Sequence, residues 1–338
     1  MGTTPFGWAV VGPGRIAHRF GEAVQRLPGM ELVAVQGRDA TRARAYADKW
    51  SPGQDVGIHH DIDGLLNDGR VHGVYIATPH AFHAQAARAC LAAGKPVLCE
   101  KPLTVNEALA NELMELSRKH GVFLMEALWT RFLPIYSVVG EWLASGAIGK
   151  IRGLQSNFSF SVPFDANNRC FDAAQAGGAV LDIGIYPLSI TQWCLQQANG
   201  IRPDLENIHA TGVLAATGVD QRFSASLEFP GGVVSQVMCG FDGPGENSFR
   251  VFGETGVITV APRFWEATRA TLQTKDGELI TEERMFAING FEGQILEAVD
   301  CIARGDIESQ VVSHADTLQV TQWMDAIRSQ LGVVYPFE

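Results

Sequence analysis

The stretch Trp8-Ala9-Val10-Val11-Gly12-Pro13-Gly14-Arg15-Ile16-Ala17 decides the fold. A short apolar run ends at Val11, and Gly-x-Gly-x-x-Ala follows at once. Beyond it Ile16, Phe20, Val24 and Leu27 recur at helical spacing. A strand, a glycine turn and a helix start, in that order, form the fingerprint of a dinucleotide-binding unit. Gly12 permits the tight turn, and Gly14 lets backbone approach a pyrophosphate. Arg15 and Ile16 lead into the helix, whose first N–H groups face the anion, and Ala17 keeps that helix close to the sheet. Glycines also occur in plain strand–helix turns. The position directly after a strand gives this one its weight.

At 338 residues the chain has room for two domains. Hydrophobic residues make up 46% of it, enough for a sizeable core. No run approaches the ~18 apolar residues of a membrane span, and no basic stretch leads into an apolar one as in a signal peptide. A cytoplasmic location is expected. The net charge of −11 argues against nucleic acid or an anionic membrane as partner, although an anionic cofactor needs only a local basic patch. Cys90, Cys99, Cys170, Cys194, Cys239 and Cys301 are scattered without a Cys-x-x-Cys pair, which points to reduced, buried thiols. His59-His60 beside Asp61 and Asp63 sits at a turn and lacks metal-ligand spacing. No metal is expected.

Residues 31–37 read as the second strand, followed by Arg38-Asp39 and a helix from Ala40 to Trp50. The end of this strand, ~20 residues past the glycines, meets the adenosine ribose in the dinucleotide fold. An acidic residue there takes the 2′-hydroxyl, and an arginine suits a 2′-phosphate. Arg38, with Arg42 one turn on, favours NADP. Asp39 leaves NAD as the alternative, unless it caps the helix. Val71 to Ala77 is a further strand, and Thr78-Pro79-His80-Ala81-Phe82-His83 stands at its end. Strand C-termini face the ligand crevice of an open parallel sheet, so Thr78, Pro79 and His83 are expected against the cofactor. His80 is a candidate substrate contact. The strand Lys95 to Cys99 delivers Glu100-Lys101-Pro102. A lysine in such a place is unusual. In a low-dielectric site it becomes a usable proton donor or acceptor, with Glu100 to hold it or to offset its charge; the bland alternative is a surface ion pair.

After a helix from Val105 to His120 and a strand from Val122 to Met125, the first domain closes near residue 126, and residues 127–338 form the second. There Gly177-Gly178 introduces a helix with Asp182 and Tyr186 at i and i+4, hence on one face. A carboxylate and a phenol so placed can polarise a substrate hydroxyl, or simply make one buried hydrogen bond. Strand-like runs at His209–Ala216, Phe223–Glu228, Val233–Cys239, Ser248–Phe252 and Val257–Val260 give a large sheet. Phe291 to Arg304 and Asp316 to Leu331 read as helices that can pack on either domain.

Four pieces together resemble the Gfo/Idh/MocA oxidoreductase family. They are Gly12-Pro13-Gly14-Arg15-Ile16-Ala17, Ala77-Thr78-Pro79 with His83, Glu100-Lys101-Pro102, and Gly177-Gly178 with Asp182, Gly184 and Tyr186. Glu126-Ala127-Leu128-Trp129-Thr130-Arg131-Phe132-Leu133-Pro134 narrows the resemblance to the branch of dimeric dihydrodiol and NADP-dependent xylose dehydrogenases.

The resemblance implies an α/β protein: an N-terminal Rossmann domain and a C-terminal α+β domain with a large, mostly antiparallel open sheet, the nicotinamide lying between them. It implies that Lys101 contacts substrate and nicotinamide ribose and assists proton transfer, that Lys101-Pro102 is a cis candidate, and that Trp129 and Arg131 lie near the nicotinamide. Arg169 matches an arginine upstream of the family's glycines and is placed near substrate or phosphate. Where many members carry histidine, this chain has Tyr186, so acid/base work passes to a Tyr–Lys pair with Asp182 orienting. Ala176 replaces the first of three family glycines. The expected reaction is hydride transfer between a sugar or cyclic-diol hydroxyl and NADP. Keto-sugar reduction is the alternative, and a non-catalytic dinucleotide-binding regulator a third. A homodimer formed sheet to sheet is also implied.

Overall fold

The structure, a computed structural model, describes residues 5–260 and 262–338. The described residues divide into two compact units, those up to Phe132 with Ala287–His314, and those of Leu133–Phe286 with Ala315–Glu338. The sequence suggests one border, between residues 126 and 127. The structure instead parts after Phe132, and Ala287–His314 returns to the first unit. Backbone and side-chain bonds secure this return: Leu124 N–H donates to Ile307 O (3.0 Å), and Asn289 Nδ2 donates to Arg19 O (2.9 Å).

In the first unit the strands are β1 (Phe6–Val11), β2 (Met30–Gln36), β3 (Gly57–His59), β4 (Gly73–Ile76), β5 (Val97–Glu100) and β6 (Leu124–Ala127). They form one parallel sheet in the order β3-β2-β1-β4-β5-β6. That is the doubly wound dinucleotide-binding order. The helices are α1 (Ala17–Arg26), α2 (Ala40–Trp50), α3 (Ile62–Leu66), α4 (His83–Ala92) and α5 (Glu107–His120). A sheet covered on both faces needs continuous apolar strands, and β4, β5 and β6 are buried throughout. Asp39, Asp61 and Asn106 accept first-turn N–H groups and so start α2, α3 and α5. Gly121, at φ +64°, stops α5.

In the second unit α6 (Pro134–Ala144) precedes β7 (Ile151–Ser159), and α7 (Ile185–Asn199) follows it. Then come β8 (Asn207–Leu214), β9 (Asp220–Phe229), β10 (Val233–Gly240), β11 (Phe249–Gly253), β12 (Gly256–Val260), β13 (Arg269–Thr274) and β14 (Leu279–Glu283). Helices α8 (Glu292–Arg304) and α9 (His314–Leu331) end the chain; α8 lies in the returning segment. The eight strands run β14-β13-β12-β11-β7-β10-β9-β8, antiparallel except where β7 meets β10. Ser235, Val237 and Cys239 of β10 point inward, and Val234, Gln236 and Met238 stay exposed. Strands β13 and β14 extend the sheet beyond the runs legible in the sequence. β13 is short, with only Ala270 and Leu272 buried, and β14, at the sheet edge, buries no residue, so neither gives a strong apolar run. Among the described residues, all six cysteines are buried free thiols, and no helix is long and apolar enough to cross a membrane.

Candidate active site

Gly12 takes φ +85°, and a Cβ there would fall 2.9 Å from the Thr78 amide nitrogen. The glycine therefore lets the β1 turn lie directly on the end of β4. At Gly14 a Cβ would meet nothing within 4 Å, so the fold itself gives no reason for glycine there. Such a methyl would instead fill the cradle over the helix start. No side chain caps α1, in contrast to α2, α3 and α5. Thr78 Oγ1 is buried without a hydrogen-bond partner, a costly state that a ligand atom would relieve. These features fit a dinucleotide, with the Gly12–Ile16 backbone for its pyrophosphate. At the end of β2, Asp39 Oδ1 caps α2 through Thr41 N–H (2.9 Å) and Arg42 N–H (3.1 Å), while the Arg38 and Arg42 side chains are exposed.

Lys101 follows β5 and is only 9% exposed. Its bond to Pro102 is cis. Three contacts fix this turn. The Tyr75 hydroxyl donates to Glu100 Oε1 at 2.5 Å, with the Tyr75 ring stacked on Phe20. Leu103 N–H donates to Glu126 Oε1 at 2.7 Å. His83 sets Nδ1 2.8 Å from Pro102 O and Nε2 2.8 Å from Thr78 O, so one buried ring ties the Lys101 turn to the Thr78 turn. Burial, and then the Lys101 charge, hold the His83 pKa below the ordinary imidazole value. A neutral ring donates from one nitrogen only, so both carbonyls are served together only when the ring is protonated. Burial also lifts the Tyr75 phenol well above its usual range, aided by the Glu100 carboxylate.

The ring of His83 thus faces into the fold, and His80 stands partly exposed beside it, ring centroids 5.8 Å apart. Trp129 is buried, with its ring 5.2 Å from Phe291 and the Arg19 guanidinium 4.9 Å from its centroid. Arg131 Nη2 donates to Val311 O at 2.9 Å. In the first unit both side chains hold the returning segment.

The second unit carries the other cluster. Val180–Gly184 is a π-helical turn that runs into α7, in place of the regular α-helix expected from the sequence. Turns of this kind are frequent at functional sites. Asp182 lies on it and Tyr186 on the first turn of α7, 5% and 7% exposed. Arg169 Nη1 donates to Asp182 Oδ1 at 3.1 Å. Asp182 raises the guanidinium pKa most, and Tyr186 adds to it, so Arg169 lies within electrostatic reach of both. The Tyr186 ring is 5.7 Å from Phe158, which stacks on Trp265 with centroids 3.5 Å apart and planes 6° from parallel. The Tyr186 phenol thus stands beside an aromatic pair and within electrostatic reach of the Arg169 guanidinium held by Asp182.

The glycines before this turn have steric causes. A Cβ on Gly177 would fall 2.8 Å from the Arg169 and Cys170 carbonyl oxygens. One on Gly178, at φ +118°, would fall 2.3 Å from Asp220 Oδ1. One on Gly184 would fall 2.8 Å from the Phe223 ring. Asp220 and Phe223 both belong to β9. Sequence reading missed Tyr75, Glu126 and Asp220 as supports of the site. For Glu126 the available signal was a carboxylate in an apolar strand. Asp220 had none, since its partner Val180 is 40 residues away.

Comparison with known proteins follows the same division. A family model described as an oxidoreductase family with an NAD-binding Rossmann fold matches residues 6–128, and the GFO/IDH/MocA C-terminal domain matches residues 136–259. Trans-1,2-dihydrobenzene-1,2-diol dehydrogenase of Sus scrofa is 34% identical over 97% of this chain and 98% of its own; that of Homo sapiens is 33% identical with the same coverage. Among solved structures, the 3-ketoreductase KijD10 from Actinomadura kijaniata, in complex with NADP and TDP-benzene, superposes with a TM-score of 0.83 at 25% identity, over 97% of this chain and 98% of that one. The aldose-aldose oxidoreductase of Caulobacter crescentus shares the fold, with a TM-score of 0.85 at 22% identity over 96% and 97% of the two chains. Sequence and fold agree over both units: the chain belongs to the Gfo/Idh/MocA family of oxidoreductases.

Proposed function

We propose that the chain is an NADP-dependent dehydrogenase acting on a secondary hydroxyl of a cyclic diol or a pyranose sugar, with Lys101, Tyr186 and Asp182 as its working side chains. The observation that carries this reading is the cluster of Tyr186, Asp182 and Arg169 beside the stacked Phe158–Trp265 pair. A stacked aromatic wall suits the apolar face of a six-membered ring. The polar set suits the hydroxyls at its edge. The 33–34% identical relatives are dehydrogenases of a dihydrobenzene diol, which supports a ring of that size.

When bound, the nicotinamide supplies the hydride acceptor. Tyr186, as the phenolate that the Lys101 cation favours, takes the hydroxyl proton and becomes the phenol as the hydride leaves carbon, and Lys101 shares in that proton transfer. Asp182, paired with Arg169, accepts a hydrogen bond from a neighbouring hydroxyl and selects the carbon that reacts. Run backwards, the same groups protonate the oxygen of a keto sugar, the direction named for the 3-ketoreductase. Arg38 and Arg42 take the 2′-phosphate, since Asp39 is engaged as a helix cap. The exposed Val234 and Met238 side chains on the open sheet support a homodimer through that face.

A screen of aldoses, inositols and cyclic trans-diols with NAD and NADP, following reduced nicotinamide by absorbance, tests the reading. Oxidation of a cyclic polyol or diol with NADP is the expected result. Tight NADP binding with no turnover in either direction would instead make the chain a dinucleotide-binding regulator.

A further inference from the structure

Asp220 opens β9, is fully buried, and lies against the start of the turn that bears Asp182 and leads into α7 with Tyr186. Val180 N–H donates to its Oδ2 at 2.6 Å. Its Oδ1 has no hydrogen-bond partner and packs where a Gly178 side chain would be. The turn has no cap from its own segment, so a carboxylate from a strand 40 residues on does that work. Three residues further along β9, Phe223 fills the space left by Gly184. The same strand therefore sets the turn at its first N–H and at its last residue. The Tyr335 hydroxyl also donates to Gly177 O at 2.7 Å, a tie to the glycine pair from the C-terminal segment.

We propose that Asp220 is a positioning residue: through the Val180 N–H it fixes the π-helical turn and so aims Asp182 and Tyr186. This rests on the proposed roles of those two side chains. Two further observations support it. Burial pushes the Asp220 carboxyl up to about 7, against the pull of the Val180, Asp220 and Ala179 N–H groups and of Arg328. A carboxyl buried there costs free energy to ionise, and the hydrogen bond it accepts from the Val180 N–H is what it contributes to the turn. Gly178 leaves the room that this carboxyl's Oδ1 fills, so no side chain fits at position 178 while Asp220 stands there.

The test uses Asp220→Ala, which removes the acceptor, and Asp220→Asn, which keeps an oxygen for the Val180 N–H. If Asp220→Ala does not fold, Asp220→Ser, too short to reach that N–H, takes its place. Hydrogen exchange of the full chain without ligands reads the cap directly. Protection of amides 179–186 should fall about tenfold or more in the alanine variant and stay within about threefold in the asparagine variant. With trans-1,2-dihydrobenzene-1,2-diol and NADP, the alanine variant should lose about tenfold or more in kcat at unchanged NADP affinity, and asparagine should restore most of it. Unchanged protection or unchanged kcat in the folded alanine variant would overturn the proposal. Tyr186→Phe is assayed alongside. If it loses turnover and Asp220→Ala does not, only the positioning role falls. If it keeps full turnover, the reading of the site falls, and the positioning role with it.

Discussion

A lysine ammonium is among the last groups a protein interior accepts, yet Lys101 is buried in a turn clamped by Glu126 and His83. The clamp bonds to the backbone of Pro102 and Leu103, so it survives loss of the amine. Lys101→Met should therefore leave the turn in place and lower turnover by about a thousandfold, with the NADP dissociation constant within about threefold of wild type. Steady-state rates and a fluorescence titration check both halves. A loss confined to cofactor affinity would remove Lys101 from proton handling. At the other end of the cofactor, Arg38→Ala should weaken NADP by about ten- to a hundredfold, the worth of a charge-assisted contact, and leave NAD almost unchanged. Equal losses for the two cofactors would show that Arg38 does not meet a 2′-phosphate.

The β9 strand and the turn it caps make a prediction about stability. In the unfolded chain Asp220 ionises near the ordinary carboxyl value of 3.8, and in the fold near 7. Below the lower value both states are protonated and nothing is lost. Between the two, the fold keeps a proton that the unfolded chain has released. Stability therefore falls as pH rises through this window and stays reduced above it. Each tenfold difference in proton affinity between fold and unfolded chain is worth about 1.4 kcal/mol. Asp220→Asn abolishes that dependence. Its melting temperature relative to wild type should climb from about pH 4 to about pH 7 and level off beyond; a difference independent of pH would mean that the carboxylate carries no such cost. The same pair of elements shows what sequence could and could not reveal. Gly177, Gly178, Asp182 and Tyr186 stand close together in the chain, so their spacing exposed the turn and its chemistry. The strand that shapes it is remote, and its contribution is one carboxylate and one phenyl ring in an ordinary alternating run. The π-helical turn escaped for a related reason: the sequence has helical spacing, and what packs against Gly178 and Gly184 comes from the remote β9.

Across the whole chain, local signals placed a dinucleotide-binding unit ahead of a second large sheet, because Gly12 and Gly14 and the Glu100-Lys101-Pro102 corner are short-range features and the strand-like runs are local. That helices after the second sheet could pack on either domain was legible; that Ala287–His314 joins the first was not, since its ties to Leu124, Arg131 and Arg19 join residues far apart in sequence. Association belongs to this scale too. Val234 and Met238 project from β10 to the exposed face, and a charge there would be desolvated in a sheet-to-sheet dimer. Met238→Arg should convert a dimer to a monomer in sedimentation velocity, with the melting curve of each subunit's core little changed. A monomeric wild type would end the dimer reading at once.

The returning segment also bears on how such a protein can be cut and recombined. Trp129 and Arg131 sit just before the first exit from the Rossmann unit, and their partners Phe291 and Val311 arrive from beyond the second sheet. A fragment ending at Phe132 would bare an indole and strand a guanidinium. Grafting this cofactor module onto another scaffold therefore takes two pieces of gene, joined or co-expressed.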